Sequence, residues 1–412
     1  MGKVYTGIDL GTDSIKVVVC EKLDKSYNVL ASVSCKSAGI RNGHIEDIKL
    51  AVTSVKRAIK KASDMLGLKI EKAIVAVSPA NCKMSIFSGT WDIIDYDKIT
   101  GEDVRSVLKD ALVGRISDNE EIVTASPIEF KVDEEDGIKD PKGLPGKVLE
   151  TKVVVGTLDK EPLYRILEVL KLSGIEVVDI GFTSTGDYYS CKNDRRDKQV
   201  GAIINIGEAS TNISIFNRGI QIRNSIIPLG SISVDRDLSY VFKLKGEDAR
   251  FVKEGFSVSL ERCADSNDLF EIGTVAAERV EIKQTGASKV VESRLREILK
   301  FAKNEIKNLT KREIRYIIIT GGLSEIAGFQ YLIDEVFGVD AKVSNISSIG
   351  IRHNKYSSVY GIIKYFDDKL SLRGRTYCMI SEEERKNLII GKQKVITNDN
   401  IVNKVFGHFF DN

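Results

Sequence analysis

Twice in this chain a strand-like run stops at a glycine turn rich in hydroxyls and starts again as a second strand. The first copy, within residues 3–20, reads through VYTGIDL, GTDS and IKVVVC. The second, residues 199–218, reads QVGAIINIGEASTNISIFNR. An internal repeat constrains the architecture more than either copy alone, because it demands two similar structural units. Around the copies, strand and helix signals alternate, which argues for an α/β fold. A third strand follows at 27–37. Residues 48–66 carry apolar side chains at helical spacing with a basic opposite face. Residues 71–77 read as a strand and 158–173 as a helix. The stretch 83–157 is strand-rich with long polar loops, including a turn-rich connector at 133–146. Residues 269–309 read as largely helical. A buried strand at 315–319 runs into Thr320-Gly321-Gly322 and a helix at 329–336, and 369–399 reads as a polar linker.

The two glycine turns can clasp a phosphate chain from both sides. Glycine lets backbone N–H groups come close to phosphate oxygens. Ser and Thr hydroxyls add donors, and a carboxylate beside the turn can hold Mg²⁺ through water. The first copy offers Asp9, Gly11, Thr12, Asp13 and Ser14. The second offers Asn205, Gly207, Ala209, Ser210 and Thr211. The run Ile319-Thr320-Gly321-Gly322-Leu323 supplies a glycine pair on which a base or ribose can lie. Taken singly, each is an ordinary turn signal; the combination carries the reading.

Composition removes several classes. Lys plus Arg is 61 and Asp plus Glu is 59, for a net charge of +2. That balance makes no case for nucleic acid as a partner. Six cysteines (Cys20, Cys35, Cys82, Cys191, Cys263, Cys378) and three scattered histidines show no metal-type spacing. The thiols read as reduced and cytosolic. No signal peptide is expected, and the Gly2/Thr6 match to a myristoylation pattern is discounted because a strand begins at once. No apolar run reaches the roughly 18 residues of a membrane-spanning helix, so membrane contact would be peripheral.

In this order and spacing, the three glycine segments resemble the actin superfamily, shared with sugar kinases and heat-shock chaperone ATPases. Its two phosphate loops and adenosine loop map onto them. The resemblance narrows further. Gly39-Ile40-Arg41-Asn42-Gly43-His44-Ile45-Glu46-Asp47 is similar to the G-I-x-x-G-x-I-x-D segment of the bacterial cell-division FtsA family. The stretch GIKDPKGLPG from Gly137, with Leu149-Glu150 behind it, is similar to that family's inserted subdomain. Pro228-Leu229-Gly230 with Asp237, and RLRE at 294–297, match further family segments.

The resemblance implies an α/β, actin-like two-domain ATPase fold with repeated βαβ halves, an FtsA-type inserted subdomain and a C-terminal amphipathic helix. The first domain core would take 1–82, 158–198 and 345–368, with 83–157 inserted. The second would take 199–227 and 310–344, with 228–309 as a partner-binding subdomain. The implied ligands are ATP and Mg²⁺. Nucleotide would meet Gly11, Thr12, Asp13, Ser14, Gly207, Glu208, Ala209, Ser210, Arg250, Lys253, Gly321, Gly322 and Leu323. Asp9 and Asn205 would face the metal through water. The implied role is polymerisation and tethering of the tubulin-like protein FtsZ to the inner face of the membrane at the division septum, beside other division proteins. The FtsZ C-terminal peptide would dock at Arg294, Arg296, Glu297 and Lys300, whose other reading is a solvated helix face.

The chain also departs from the family pattern. The usual D-x-G-G-G-T of the second loop is here Asn205-Ile206-Gly207-Glu208-Ala209-Ser210. The family's first-loop lysine falls at Ser14, and its A-E-x-x-K becomes Ala249-Arg250-Phe251-Val252-Lys253. A lost carboxylate and an added Glu208 point to at most weak hydrolysis, and no general base stands out. The alternatives are a nucleotide-poor scaffold of the pilus-assembly type or a metabolite kinase of the same superfamily.

At about 100° per residue, Ile401, Val402, Val405, Phe406, Phe409 and Phe410 fall on one face of a terminal helix. Asn403, Lys404, Gly407, His408 and Asp411 fall on the other. A helix this short is marginal in water and orders when its apolar face is buried. A lipid surface is the expected host, with self-packing or a protein partner as alternatives. Weak single-copy binding would become firm on assembly.

Overall fold

The computed structural model describes residues 2–384, apart from 42, 274–278, 339 and 347. The expected membrane residues Ile401, Val402, Val405, Phe406, Phe409 and Phe410, and 385–399 of the expected linker, lie outside the described residues.

The chain opens with a meander of β1 (Lys3–Leu10), β2 (Ser14–Leu23) and β3 (Ser26–Lys36). A two-residue ribbon, β4 (Ile40–Arg41) and β5 (His44–Ile45), leads to α1 (Ile48–Leu66) and β6 (Lys72–Val77). Helix α1 starts where the Asp47 carboxylate accepts from the Leu50 N–H and stops at Gly67, whose φ of 70° only glycine adopts freely. Next come β7 (Lys83–Asp92), α2 (Gly101–Asp110), β8 (Glu120–Val132), β9 (Glu135–Ile138) and β10 (Val148–Asp159). Then α3 (Lys160–Leu172), β11 (Glu176–Phe182) and α4 (Thr183–Cys191) close the first half.

The second half repeats the plan. It contains β12 (Val200–Ile206), β13 (Thr211–Asn217), β14 (Ile220–Ile227), α5 (Ser231–Phe242) and α6 (Gly246–Phe251). A hairpin of β15 (Leu269–Gly273) and β16 (Arg279–Lys283) precedes α7 (Gln284–Leu309). It ends in β17 (Tyr316–Thr320), α8 (Phe329–Phe337) and β18 (Ala341–Val343), before α9 (Ser357–Leu372) returns to the first half.

The sheet orders are β3-β2-β1-β6-β11 and β14-β13-β12-β17-β18. In each, the first three strands are antiparallel and the last two run parallel to the third. The sequence repeat is therefore a repeat of topology. Such strands are covered on both faces and read as continuous apolar runs. One face of the first sheet packs on α1 and α3, the other on α9. The second sheet packs on α5, α7 and α8 on one face, while Tyr188 of α4 meets Phe216 and Tyr316 on the other. Helices α4 and α9 thus fill the space between the sheets. They cross in backbone contact: a Cβ on Gly361 would stand 1.7 Å from the Gly186 carbonyl oxygen. The inserted subdomain is a separate sheet, β7-β10-β8-β9, with its own core against α2.

Three expectations change. The stretch 83–157 holds a helix, α2, started by a reciprocal capping box between Thr100 and Asp103. The stretch 269–309 is helical only from Gln284. Before it, Phe270, Ile272, Val280 and Ile282 alternate with polar residues and pair as a hairpin. The linker expected from Lys369 begins later. Helix α9 runs to Leu372, Tyr377 to Ile380 pack on the first half's cores, and the Met379 N–H donates to the Val4 carbonyl at 3.0 Å.

Candidate functional site

A cleft of about 490 Å³ lies between the halves, where the β1–β2 and β12–β13 turns face one another. All the residues expected at a nucleotide line it: Gly11, Thr12, Asp13, Ser14, Gly207, Glu208, Ala209, Ser210, Arg250, Lys253, Gly321, Gly322 and Leu323, with Asp9 and Asn205. The two turns share one backbone device. The Gly11 N–H donates to the Ser14 carbonyl at 3.2 Å, and the Gly207 N–H to the Ser210 carbonyl at 3.0 Å. At Gly11 and Gly321, space requires glycine. A Cβ on Gly11 would meet the Lys16 ammonium at 2.8 Å. One on Gly321, whose φ is 97°, would meet the Ile206 carbonyl at 2.4 Å and Asn205 Oδ1 at 2.6 Å.

Charges line the cleft in a pattern the sequence did not disclose. The Arg250 guanidinium crosses from α6 to Asp13 Oδ1 at 2.7 Å and also meets Glu254 at 3.0 Å. Burial opposes ionisation of Asp13, but the Arg250 guanidinium more than offsets it and holds the carboxyl below the usual carboxylate range. Glu208 faces the same cleft; burial, then the charge of Asp13, push its carboxyl up. Lys16 stands two residues beyond the position of the family's loop lysine. Its ammonium lies 3.1 Å from Asp9 Oδ2 and 3.3 Å from the Ser14 carbonyl. Alternation along a strand puts residues 14 and 16 on one side, so the displaced cation could have been found. Glu325, His353, Lys355 and Ser358 also line the cleft and were missed.

Two observations test the fit of a phosphorylated ligand. The Lys253 side chain is buried, and its ammonium, 2.7 Å from Asp235 Oδ1, satisfies no hydrogen-bond geometry. Backbone cradles at Gly11 and Gly321 would be filled by any side chain. For Mg²⁺, no group of three or more His, Cys, Asp or Glu able to hold a metal exists among the described residues. Oxygen donors at Asp9, Asn205 and Ser358 suit the ion in its usual manner, in which water and ligand phosphates fill most of the coordination shell.

Behind the cleft, Asp187 of α4 is fully buried. It accepts from Asn205 Nδ2 at 2.7 Å, from Ser358 Oγ at 2.7 Å and from the Ser357 hydroxyl. Thr320 of β17 in turn donates to Ser357 Oγ at 2.9 Å. This network joins α4 and α9 to the second sheet.

Comparison with known proteins decides the lineage. The family model described as the SHS2 domain inserted in FtsA matches residues 79–157. The model described as cell division protein FtsA matches residues 202–361. Together they span more than half of the chain. The chain belongs to the FtsA family.

Its relatives include the cell division protein FtsA of Bacillus subtilis, 29% identical over 90% of this chain and 86% of the relative. Another is that of Streptococcus pneumoniae, 28% identical over 88% and 79%. The Pseudomonas aeruginosa FtsA is 25% identical over 95% and 97%. Solved structures share the fold at low identity. A chain of the PilM–PilN type IV pilus biogenesis complex has a TM-score of 0.58 at 14% identity, covering 88% of this chain and 98% of that one. MreB5 of Spiroplasma citri bound to ADP has a TM-score of 0.53 at 12% identity, covering 89% and 97%. A subunit of the MamK double helical filament has a TM-score of 0.52 at 13% identity, covering 88% and 98%. The FtsA-family chain thus has an actin-like fold, an SHS2-type insertion and a part in cell division. No helix among the described residues is long and apolar enough to cross a membrane.

The residues expected to dock FtsZ sit on α7. Arg294 is forked onto Asp237 at 2.6 and 2.9 Å and also pairs with Glu297. Arg296 pairs with Glu292 at 2.6 Å and Glu335 at 2.8 Å. Lys300 is exposed on the same helix. The arginines are therefore held in place by the fold's own carboxylates.

Proposed function

We propose that this FtsA-family chain binds ATP with Mg²⁺ in the cleft, assembles with copies of itself, and tethers FtsZ to the cytoplasmic face of the membrane at the division septum. The observation that carries the nucleotide reading is the convergence of three glycine segments on one cleft, with the buried Lys253 ammonium, paired to Asp235, at its wall. Pocket volumes of roughly 300–1,000 Å³ are usual for such ligands. Gly11–Ser14 and Gly207–Ser210 would hold the phosphates. Gly321 to Leu323, Arg250 and Lys253 would hold the nucleoside. Asp9 and Asn205 would face the metal through water, and the metal would draw charge from the phosphates. Hydrolysis is at most weak, since Asn205 replaces a carboxylate and Glu208 adds negative charge.

The solved likenesses to the ADP-bound MreB5 and to the MamK filament support nucleotide binding and self-association as properties to test. Membrane attachment falls to Ile401, Val402, Val405, Phe406, Phe409 and Phe410. FtsZ docking falls to the α7 surface with Arg294, Arg296, Glu297 and Lys300, where an acidic peptide would meet exposed Lys300 and compete with Asp237, Glu292, Glu297 and Glu335 for the two guanidinium groups.

Calorimetry with Mg-ATP tests the cleft; no heat of binding would favour the nucleotide-free scaffold. Full-length protein should pellet with vesicles and a chain ending at Lys394 should not. Equal pelleting removes the tether. An FtsZ C-terminal peptide should retain the full chain on beads; failure to do so removes the partner assignment.

A further inference from the structure

The family pattern places a carboxylate at the end of β12, and this chain has Asn205 there. The structure supplies a carboxylate one step behind. Asp187 reaches across from α4 to the Asn205 amide nitrogen at 2.7 Å, and Ser358 Oγ lies 3.4 Å from the same nitrogen. The carboxylate only accepts hydrogen bonds, so the amide must turn its NH₂ toward it. That choice leaves Asn205 Oδ1 on the opposite side, against Gly321, which has no side chain to cover it. No protein donor reaches this oxygen among the described residues, and Asn205 lines the cleft.

We propose that Asp187 is a positioning residue for the cation end of the cleft: it fixes the Asn205 amide with its oxygen facing the ligand, so that an amide polarised by a buried carboxylate stands where the family carries the carboxylate itself. The inference rests on the nucleotide reading of the cleft. It follows from elementary chemistry. An amide oxygen is a weaker acceptor for a metal-bound water than a carboxylate, and donation from its own NH₂ to a carboxylate strengthens it. With an amide at 187, which can offer NH₂ as well as oxygen, the Asn205 amide could rotate and present its own NH₂ to the cation, which repels it. Two hydroxyls, Ser357 and Ser358, complete three donors to Asp187 and hold it in one rotamer. The arrangement also explains why a helix interior carries an Asp among the small residues Ser184, Thr185 and Gly186.

Such outer partners of a metal site typically change metal affinity about 10- to 100-fold. The test is the affinity for a fluorescent ATP analogue with Mg²⁺ and with EDTA, in full-length protein. Asp187→Asn should weaken binding in Mg²⁺ about 10-fold and leave binding in EDTA nearly unchanged. The exchange variant Asp187→Asn with Asn205→Asp keeps one amide against one carboxylate. It should recover most of the Mg²⁺-dependent affinity, whereas Asn205→Asp alone, with two carboxylates in contact, should not. If Asp187→Asn does not fold, the exchange variant still decides. An equal loss with and without Mg²⁺ would show a purely structural role and overturn the inference. So would an exchange variant that binds no better in Mg²⁺ than in EDTA. If the wild type binds no nucleotide in either condition, the cleft reading falls and this inference with it.

Discussion

Asp367 shows how much one buried side chain can hold together. It lies in α9 and accepts from Tyr5 Oη at 3.0 Å and Tyr27 Oη at 2.8 Å, and it pairs with Lys22. Burial opposes its charge, but the Lys22 ammonium and the two hydroxyls outweigh this and hold its carboxyl below the usual carboxylate range. A depressed carboxyl contributes stability that is complete above the unfolded value of about 3.9 and is lost as pH falls through the lower folded value. Asp367→Asn should therefore cost about 2–3 kcal/mol at pH 7 and make stability less steeply dependent on pH below about 4. Urea melts between pH 3 and 7 check this; parallel pH profiles for both proteins would contradict it. At this scale the sequence disclosed the glycines and hydroxyls of the loops, because backbone geometry restricts which residues can stand there. It did not disclose Asp187 or the Arg250–Asp13 pair. Asp187 and Asn205 are 18 positions apart and Asp13 and Arg250 are 237 apart, and only the fold makes them neighbours.

At the scale of elements, α4 and α9 cross in close backbone contact in the layer between the two sheets. Gly186 and Gly361 bring the two backbones together, and a Cβ on Gly186 would stand 2.1 Å from the Ser358 carbonyl oxygen. Overpacking of this kind typically costs 1–3 kcal/mol or more. Gly361→Ala should lower the urea midpoint accordingly. It should also weaken Mg-ATP binding, since it pushes Ser358 away from Asp187. A variant with wild-type midpoint and affinity would show that the joint has slack. Long elements with strong periodicity, such as α1, were legible to the residue. Helix α2 was hidden by the strand-like runs around it, although Thr100 and Asp103 carry a capping signal. The paired strands β15 and β16 were absorbed into α7 because both share apolar spacing over short windows.

At the scale of the molecule, the two halves meet across the cleft through charge as well as packing. Arg250–Asp13 spans it within hydrogen-bond distance, and Lys36 of β3 pairs with Glu247 of α6 at 3.4 Å. Both pairs are partly or fully exposed to solvent, so each contributes on the order of 1 kcal/mol or less and weakens in salt. Small-angle scattering should show a larger radius of gyration for Arg250→Ala than for wild type at low salt. The wild type should approach the variant as NaCl rises, and the variant, which keeps only Lys36–Glu247, should change less. Identical radii at low salt would mean that packing alone sets the closure. The duplicated plan was legible at this scale because both copies keep the strand–glycine–strand pattern. The attachment of residues 377–380 to the first half was not, because that stretch has no periodicity, only Tyr377, Cys378, Met379 and Ile380 placed into gaps between elements.

That attachment ties the segment after α9 to the strand that leads into the cleft. Met379 is hydrogen-bonded to Val4, near the start of β1, and β1 ends at Asp9 and Leu10, beside the first phosphate-loop glycine. At about 3.3 Å per residue, the two points are roughly 17 Å apart along one strand. Residues 377–380 and the first glycine loop are thus held at opposite ends of one strand, so a substitution that loosens Met379 from Val4 acts on the same strand that carries Asp9.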